Sequence, residues 1–250
     1  MKKWKKIIAA GMAVILIPVT GLAVWQKDNL KALYLLLTND SQSISQNMED
    51  KQQAQQEKLE QDFNIIIQAP TANQNSALLD GKVTPEEVKE TLGLVQPETT
   101  EPSAAIPEVN KSEPSSNPPL IFEEPKQLTE EERKAQADGL VNRCLTELYA
   151  LEVDLMAEMG EMKKTALLDW NSRSPDGRTK EKTIEFGFMW LNEVYKVEVR
   201  ADRTVKEILS RYRGPLEELN ADTSVLDDMW RYYCDKKSDT KAYYLNKYLN

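Results

Sequence analysis

The chain has 250 residues, a formal charge of −9 and no histidine. Without imidazole, Ser-His-Asp and Cys-His catalysis and nearly all zinc, haem and non-haem iron sites lack their usual base or ligand. An acidic surface repels nucleic acid and anionic lipid, and the two cysteines, Cys144 and Cys234, are too few and too far apart in sequence for a four-sulfur metal site or a CxxC redox pair.

The first predicted element is apolar. Lys2, Lys3, Lys5 and Lys6 precede an uncharged run from Ile7 to Trp25, which at about 1.5 Å per residue spans roughly 28 Å, close to the thickness of a hydrocarbon core. Trp4 and Trp25 flank it as interfacial anchors do. The lysine excess ahead of the run directs the rest of the chain outward, so a single pass with a cytoplasmic N-terminus and an extracellular C-terminus is expected. Pro18 and the small residues of Gly21-Leu22-Ala23 fit a second reading, a signal peptide cut after Ala23 with the remainder secreted. Leu30, Leu33, Tyr34, Leu37, Ile44 and Met48 continue at helical spacing past the run, which favours a retained span prolonged into a stalk. Removing Met1 to Trp25 takes away four lysines and no acid and leaves a charge of −13.

Residues 26–68 read as this juxtamembrane stalk. "SISQNMEDKQQAQQEKLEQDF" is a solvated helix whose apolar positions thin to Leu59 and Phe63, and it lacks the sustained heptad that coiled-coil self-association requires. Residues 69–96 form a small helical module in "LLDGKVTPEEVKETLGL": Thr84 suits the N-cap, Pro85 the first helical position, Glu86 and Glu87 the positive end of the dipole, and Gly93 the stop. Its "DGK" has neither the alternating oxygen ligands of a calcium loop nor the glycine and strand of a P-loop. Residues 97–125 hold seven of the twelve prolines amid Glu, Ser and Thr. This composition favours a disordered, extended spacer that reaches about 90 Å at about 3.1 Å per residue and would hold the next domain away from the lipid.

The folded domain is expected at residues 126–250. Thr129 and Glu132 make a capping box, after which Val141, Cys144, Leu148, Leu151, Leu155, Met159 and Met162 recur at helical spacing. Ser174-Pro175-Asp176-Gly177 is a turn. In the next segment "YKVEVR" alternates like a strand, but Ile184, Phe188, Leu191, Val194, Ala201, Val205, Ile208 and Tyr212 define a longer helical face, and the longer template predicts a helix. "RGPLEELNADTS" should break it, and Asp222 or Thr223 should cap a third helix bearing Val225, Met229, Tyr232, Tyr233, Tyr243, Tyr244 and Tyr248. The expected fold is all-α: a transmembrane helix, a polar stalk, a Pro-rich spacer and an antiparallel three-helix bundle or coiled-coil-like domain.

"NLKALYLLLTND", "LLDGKVTPEEV" and "ADTSVLDDMWRYYCDKKSDTKAYYLNKY" together resemble uncharacterised exported or membrane-anchored helical proteins of Gram-positive, clostridia-like bacteria. The resemblance covers most of the chain in order and implies a helical middle segment. It implies no activity and carries over no catalytic residue.

Candidate chemistry is sparse. Ser238-Asp239-Thr240-Lys241 fits S-x-x-K, the nucleophile motif that needs no histidine, but the companion K-T-G is replaced by Lys164-Thr165-Ala166 and Lys182-Thr183-Ile184. A polar break or exposed turn of the last helix is the simpler reading. Trp230, Tyr232, Tyr233, Tyr243, Tyr244 and Tyr248 could stack on sugars, though rings at helical spacing more often pack. Glu123-Glu124 and Glu130-Glu131-Glu132 could hold calcium loosely, or simply crowd a helix start. No catalytic, cofactor or metal site is therefore assigned, and a non-enzymatic protein is expected, with an extracytoplasmic hydrolase as the least favoured alternative. Its partners are the membrane through Ile7 to Trp25, and either an unknown envelope protein or a second copy through the C-terminal helices, with no nucleic acid. Cys144 and Cys234 could pair as a disulfide or stay packing thiols.

Overall fold

A computed structural model describes residues 27–65, 67–94, 128–174 and 179–249. The apolar segment Ile7 to Trp25, the Pro-rich spacer and the Pro175 to Gly177 turn lie outside them. The described residues form seven helices and no strand: α1 (Lys27–Thr38), α2 (Ser41–Asp62), α3 (Ala72–Leu79), α4 (Pro85–Thr91), α5 (Glu130–Ser172), α6 (Lys180–Glu218) and α7 (Ser224–Leu249). The protein is all-α. Among the described residues no helix is long and apolar enough to cross a membrane.

The frame is the hairpin of α5 and α6, of 43 and 39 residues. Each begins where the sequence supplies a threonine cap. Thr129 Oγ1 accepts from Glu132 N at 3.2 Å while the Glu132 carboxylate accepts from Thr129 N at 2.8 Å, which satisfies two otherwise orphaned groups. α6 returns antiparallel along α5, clipped by Arg200 to Glu158 and Arg211 to Glu147. The strand-like "YKVEVR" is helical because Val197, Ala201, Val205 and Ile208 are buried at helical spacing, and tertiary packing outweighs the weak β preference of valine.

The expected break at "RGPLEELNADTS" comes late. α6 passes through Gly214 and Pro215 and ends at Glu218. In its last turn Pro215 costs a single backbone hydrogen bond, and the fully buried Leu216 pins the turn to the core. The stop is Asn220, at φ 55°, with Asn220 N donating to Glu217 O at 2.9 Å and Ala221 N to Leu216 O at 3.0 Å, the left-handed closure that asparagine tolerates in place of glycine. Asp222 then takes the Ser224 N–H at 2.8 Å, and α7 runs back along α6.

The segment expected as a solvated stalk is helical but docked. α1 lies parallel to α7, through Lys31 to Asp235 at 2.6 Å and Asn246 Nδ2 to Asn39 O at 2.8 Å. Asp40 caps α2 by accepting from Ser43 N at 2.7 Å, and α2 returns antiparallel with Lys51 on Asp239 and Lys58 on Asp228. Ala32 and Ile44 are buried against Ala242, with Leu35, Met48 and Tyr243 around them. The apolar spacing past Lys27 thus serves packing on α7, while Tyr34 and Leu37 remain exposed. No heptad was visible because the partner helix belongs to the same chain and supplies charge as much as apolar surface.

α3 and α4 close the other flank against α5. Capping boxes at Thr71 with Gln74 and Thr84 with Glu87, and Pro85 at the first helical position, set their starts. Gly81 and Gly93 end them with φ of 64° and 67°, as expected for Gly93. α3 comes so close to α5 that a Cβ on Gly160 would sit 2.7 Å from Leu78 O. Side chains from α2 to α7 share one core, in which Leu59, Leu78, Val88, Val153, Leu216 and Leu226 are buried. The Pro-rich segment therefore joins α4 to α5 within one packed body, so it does not set the reach of a distal domain.

Asp80 accepts from Lys163 of α5 at 2.7 Å and from Lys82 at 3.0 Å, and these hydrogen bonds hold its carboxyl at about 2, below the ordinary 3.8. A depressed carboxyl contributes stability that is full above its unfolded value and lost as pH falls through the folded one. The urea midpoint of the parent should exceed that of Asp80→Asn above pH 3.8, and the difference should vanish below about 2. The two interior glycines of α5 should respond with opposite sign. Gly139, with nothing within 4 Å of a Cβ, should gain about 0.4–1 kcal/mol on Gly139→Ala. Gly160→Ala should lose about 1–3 kcal/mol by forcing α3 off α5.

Candidate functional site

The hairpin is longer than the layer that covers it. On α6, Phe188, Leu191, Tyr195, Glu198, Asp202, Val205 and Leu209 follow one another at steps of three and four, one continuous helical stripe. α7 covers its lower part: Lys241 pairs with Glu198, Lys237 and Tyr233 Oη each reach Asp202 at 2.7 Å, and Val205 and Leu209 are buried. Toward the start of α6 the stripe is apolar and exposed, with Phe188 50%, Leu191 39% and Tyr195 55%. The same happens on α5. Val153 and Gly160 lie buried on the α3 flank, whereas Leu167, seven residues beyond Gly160, is 47% exposed and its neighbour Leu168 62%.

These exposed side chains stand on a stiff end. Trp170 of α5 is buried, its ring 5.0 Å from Phe186 of α6, and Phe186 in turn meets Trp190 at 6.2 Å. Arg173 lies 4.7 Å over Phe186 while its guanidinium pairs with Asp169 at 3.2 Å. The Thr179 side chain accepts from Lys182 N at 3.3 Å and starts α6. Residues 161–196 carry seven Lys or Arg against six Asp or Glu, and Lys164 with Glu161, Lys182 with Glu185 and Lys196 with Glu193 pair within their own helices. The end is apolar and nearly neutral in an acidic chain.

Lower down, a cavity of about 260 Å³ opens between α2, α3, α5, α6 and α7. Its wall is mostly apolar, from Met48, Leu148, Leu155, Met156, Met159 and Val194. The charged groups of its rim are already engaged: Lys236 holds Glu152 at 2.7 Å, Lys237 holds Asp202 at 2.7 Å, and Lys241 holds Glu198. Asn75 Nδ2 also reaches Glu152, at 2.6 Å. Asn75 Oδ1 is buried without a hydrogen-bond partner, so this largely apolar space offers volume and an unpaired acceptor to orient a ligand. A second hollow, about 400 Å³, lies at the base between Lys58, Phe63, Arg133, Lys134, Leu219 and Asp228, with Lys58 paired to Asp228 and Lys134 to Asp138 at 3.2 Å.

The motifs singled out in the sequence fall on α7. Ser238 to Lys241 is neither a break nor an exposed turn, because α7 continues through it. Ser238 is fully buried and donates back to Cys234 O at 3.0 Å, while Lys241 is paired with Glu198. Asp239 is 1% exposed, and its Oδ2 meets Lys51 at 2.6 Å. The aromatic residues pack: Trp230 and Tyr233 lie 5.4 Å apart, Tyr243 and Tyr244 meet edge to face at 5.0 Å, and burial raises the hydroxyls of Tyr232 and Tyr233 above their ordinary value. Glu130, Glu131 and Glu132 occupy the first turn of α5, and among the described residues no group of three His, Cys, Asp or Glu is placed to hold a metal. No disulfide joins Cys144 and Cys234. Sequence reasoning missed Gly160, which composition alone cannot distinguish from Gly139, and Tyr195, whose membership of the stripe shows only when the three-four spacing is followed down to Asp202.

Comparison with protein-family models, with curated proteins and with solved structures finds no match.

Burial pushes the Cys144 thiol from 9.0 up to about 12, so it stays protonated in the folded protein and thiolate reagents have nothing to attack. Maleimide at neutral pH should leave Cys144 unmodified in the native chain and label it on unfolding in urea, as peptide mass mapping would read. Asp239→Ala should lower stability by about 1–3 kcal/mol, since its lysines are left partly screened by solvent. Hydrogen exchange should rise first in α1 and α2.

Proposed function

We propose that the protein is a non-enzymatic, single-pass membrane-anchored extracytoplasmic protein that presents a helical interaction domain at the bacterial cell envelope. The observation that carries the reading is the apolar end of the α5 and α6 hairpin: Leu167, Leu168, Phe188, Met189, Leu191 and Tyr195 are all substantially exposed, on a scaffold stiffened by the Trp170, Phe186 and Trp190 rings. Large exposed apolar side chains gathered at one end of an otherwise charged protein suit an interaction surface. In this reading α5, α6 and α7 are an antiparallel three-helix bundle, with α1 to α4 as a second layer that fixes it.

Attachment rests on the basic start and the apolar run Ile7 to Trp25, whose length and flanking tryptophans suit a span. The direction of α1 agrees with this. α1 begins near the level of Asp235 and runs toward Asn246, and the apolar end lies in that direction. A chain entering at Lys27 comes from the opposite side, so the apolar end would face away from the lipid. The second reading, a secreted binding module, is favoured by Pro18 and the small residues Gly21 and Ala23.

Intact mass of the protein from washed membranes and from the medium tests the proposal. A full-length mass of 28.6 kDa confined to the membrane is the expected result. A species beginning at Val24 in the medium would replace the anchored reading with the secreted one.

A further inference from the structure

We propose that the cavity between α2, α3, α5, α6 and α7 is a binding site for a small neutral aliphatic alcohol, its chain in the methionine-lined space and its hydroxyl donating to Asn75 Oδ1. The site stands apart from the exposed apolar end, and the inference does not depend on where the chain resides.

The space exists because the two flanks are fixed separately. α2 is held on α7 by Lys51 with Asp239 and Lys58 with Asp228, and α3 is held on α5 by the close approach at Gly160 and by Lys163 with Asp80. Neither set of contacts draws α2 toward α3, and about 260 Å³ remains between them and the helices beneath. An apolar cavity of about 150 Å³ already takes benzene. At roughly 30 Å³ per heavy atom this one holds about nine, the size of an eight-carbon alcohol and too little for a two-chain lipid. Met48, Met156, Met159 and Met229 line it, half of the eight methionines in the chain. Unbranched thioether side chains adapt their shape, which suits a flexible chain better than a rigid ring.

The polar groups of the wall select the head of the ligand. Lys236 is engaged by Glu152, Lys237 by Asp202 and Lys241 by Glu198, so the charged rim favours neither a carboxylate nor an ammonium head. Asn75 differs. It is 9% exposed, and its Nδ2 donates to Glu152 at 2.6 Å. Turning the amide over would set its oxygen against that carboxylate, so its orientation is fixed, and Oδ1 is left without a partner. A buried acceptor without a donor is costly, and an alcohol O–H is a neutral group that supplies one. Tyr149, 7% exposed, lines the same cavity. Burial raises its hydroxyl above the ordinary value, so it stays protonated and offers a donor to the alcohol oxygen. An alkane would leave both groups unmet.

Photolabelling of the full-length chain tests the site. Octan-1-ol carrying an aliphatic diazirine is added to washed membranes and to the medium of expressing cells and irradiated. The tryptic peptide of residues 144–163 on α5 is then read by mass, with the other peptides as background. Label on this peptide above background, competed by 1-octanol, is the expected result. Competition should strengthen about fourfold per methylene from 1-hexanol to 1-octanol and stop strengthening in longer alcohols. In the parent, 1-octanol should compete about five- to tenfold better than octane, and Asn75→Ala should remove that preference while keeping the label. Leu155→Trp, and separately Val194→Phe from α6, fill the space and should lower the competed label about tenfold or more, with helical circular dichroism unchanged. Loss of fold in one of these two variants leaves the other to decide. Label no greater than background, label that 1-octanol leaves unchanged, octanoate competing as well as 1-octanol, or full label in the folded filled variants would overturn the site. A preference for 1-octanol over octane that survives Asn75→Ala would overturn the role of Oδ1. Labelled chain beginning at Val24 in the medium would remove the anchor and keep the site.

Discussion

The arrangement depends on how one charged helix is buried. α7 carries Asp228, Asp235, Lys236, Lys237, Asp239 and Lys241 in its middle, yet it is surrounded by α1 and α2 on one side, α6 on another and α5 beneath. Its charges are met by Lys31, Lys51 and Lys58, by Glu198 and Asp202, and by Glu152. Asp239 sets the strictest condition, since a carboxylate 1% exposed without a partner would cost several kcal/mol. Lys51 supplies that partner only if α2 lies along α7. Ion pairing thereby fixes the register of α2, and apolar contacts at Ile44, Ala242 and Leu59 add the bulk of the burial.

The opposite flank is fixed by shape rather than charge. Gly160 admits the C-terminal turn of α3 to a distance no side chain would allow, and Asp80, held between Lys82 and Lys163, ties the turn down beside it. Together the two flanks make a layer over the lower part of the hairpin. The layer ends before the hairpin does, because α7 is 26 residues long and α5 is 43. The apolar side chains at that end stay exposed, and the functional reading is built upon them.

The same geometry separates the parts of the molecule that can change from those that cannot. Lysines on the cavity rim are held by acids of α5 and α6, so the rim is structural. At the hairpin end Glu161 and Lys164, Lys182 and Glu185, and Glu193 and Lys196 pair within single helices, which stabilises each helix slightly and fixes no neighbour. Rings beneath the exposed stripe keep it in place without covering it, so the end combines a fixed shape with unburied apolar area.

Much of this was legible in the sequence. Capping threonines, Pro85, Gly93 and the apolar periodicity of α5 and α6 gave the helices, because caps and 3.6-residue spacing are local physics written in neighbouring residues. The break at Gly214-Pro215 was placed early because the anchoring of Leu216 in the core is not a local property. The helix of residues 41–62 was visible, but its docking was not: its polar residues match acids of α7 nearly 190 positions away, and no periodicity encodes such a match. Gly160 looked like any helical glycine until α3 was set against it. Composition and spacing determined which segments are helices and which chemistries lack their residues. Only the tertiary structure decided which stripes are covered and where the cover ends, because coverage depends on the relative lengths and registers of helices distant in the chain.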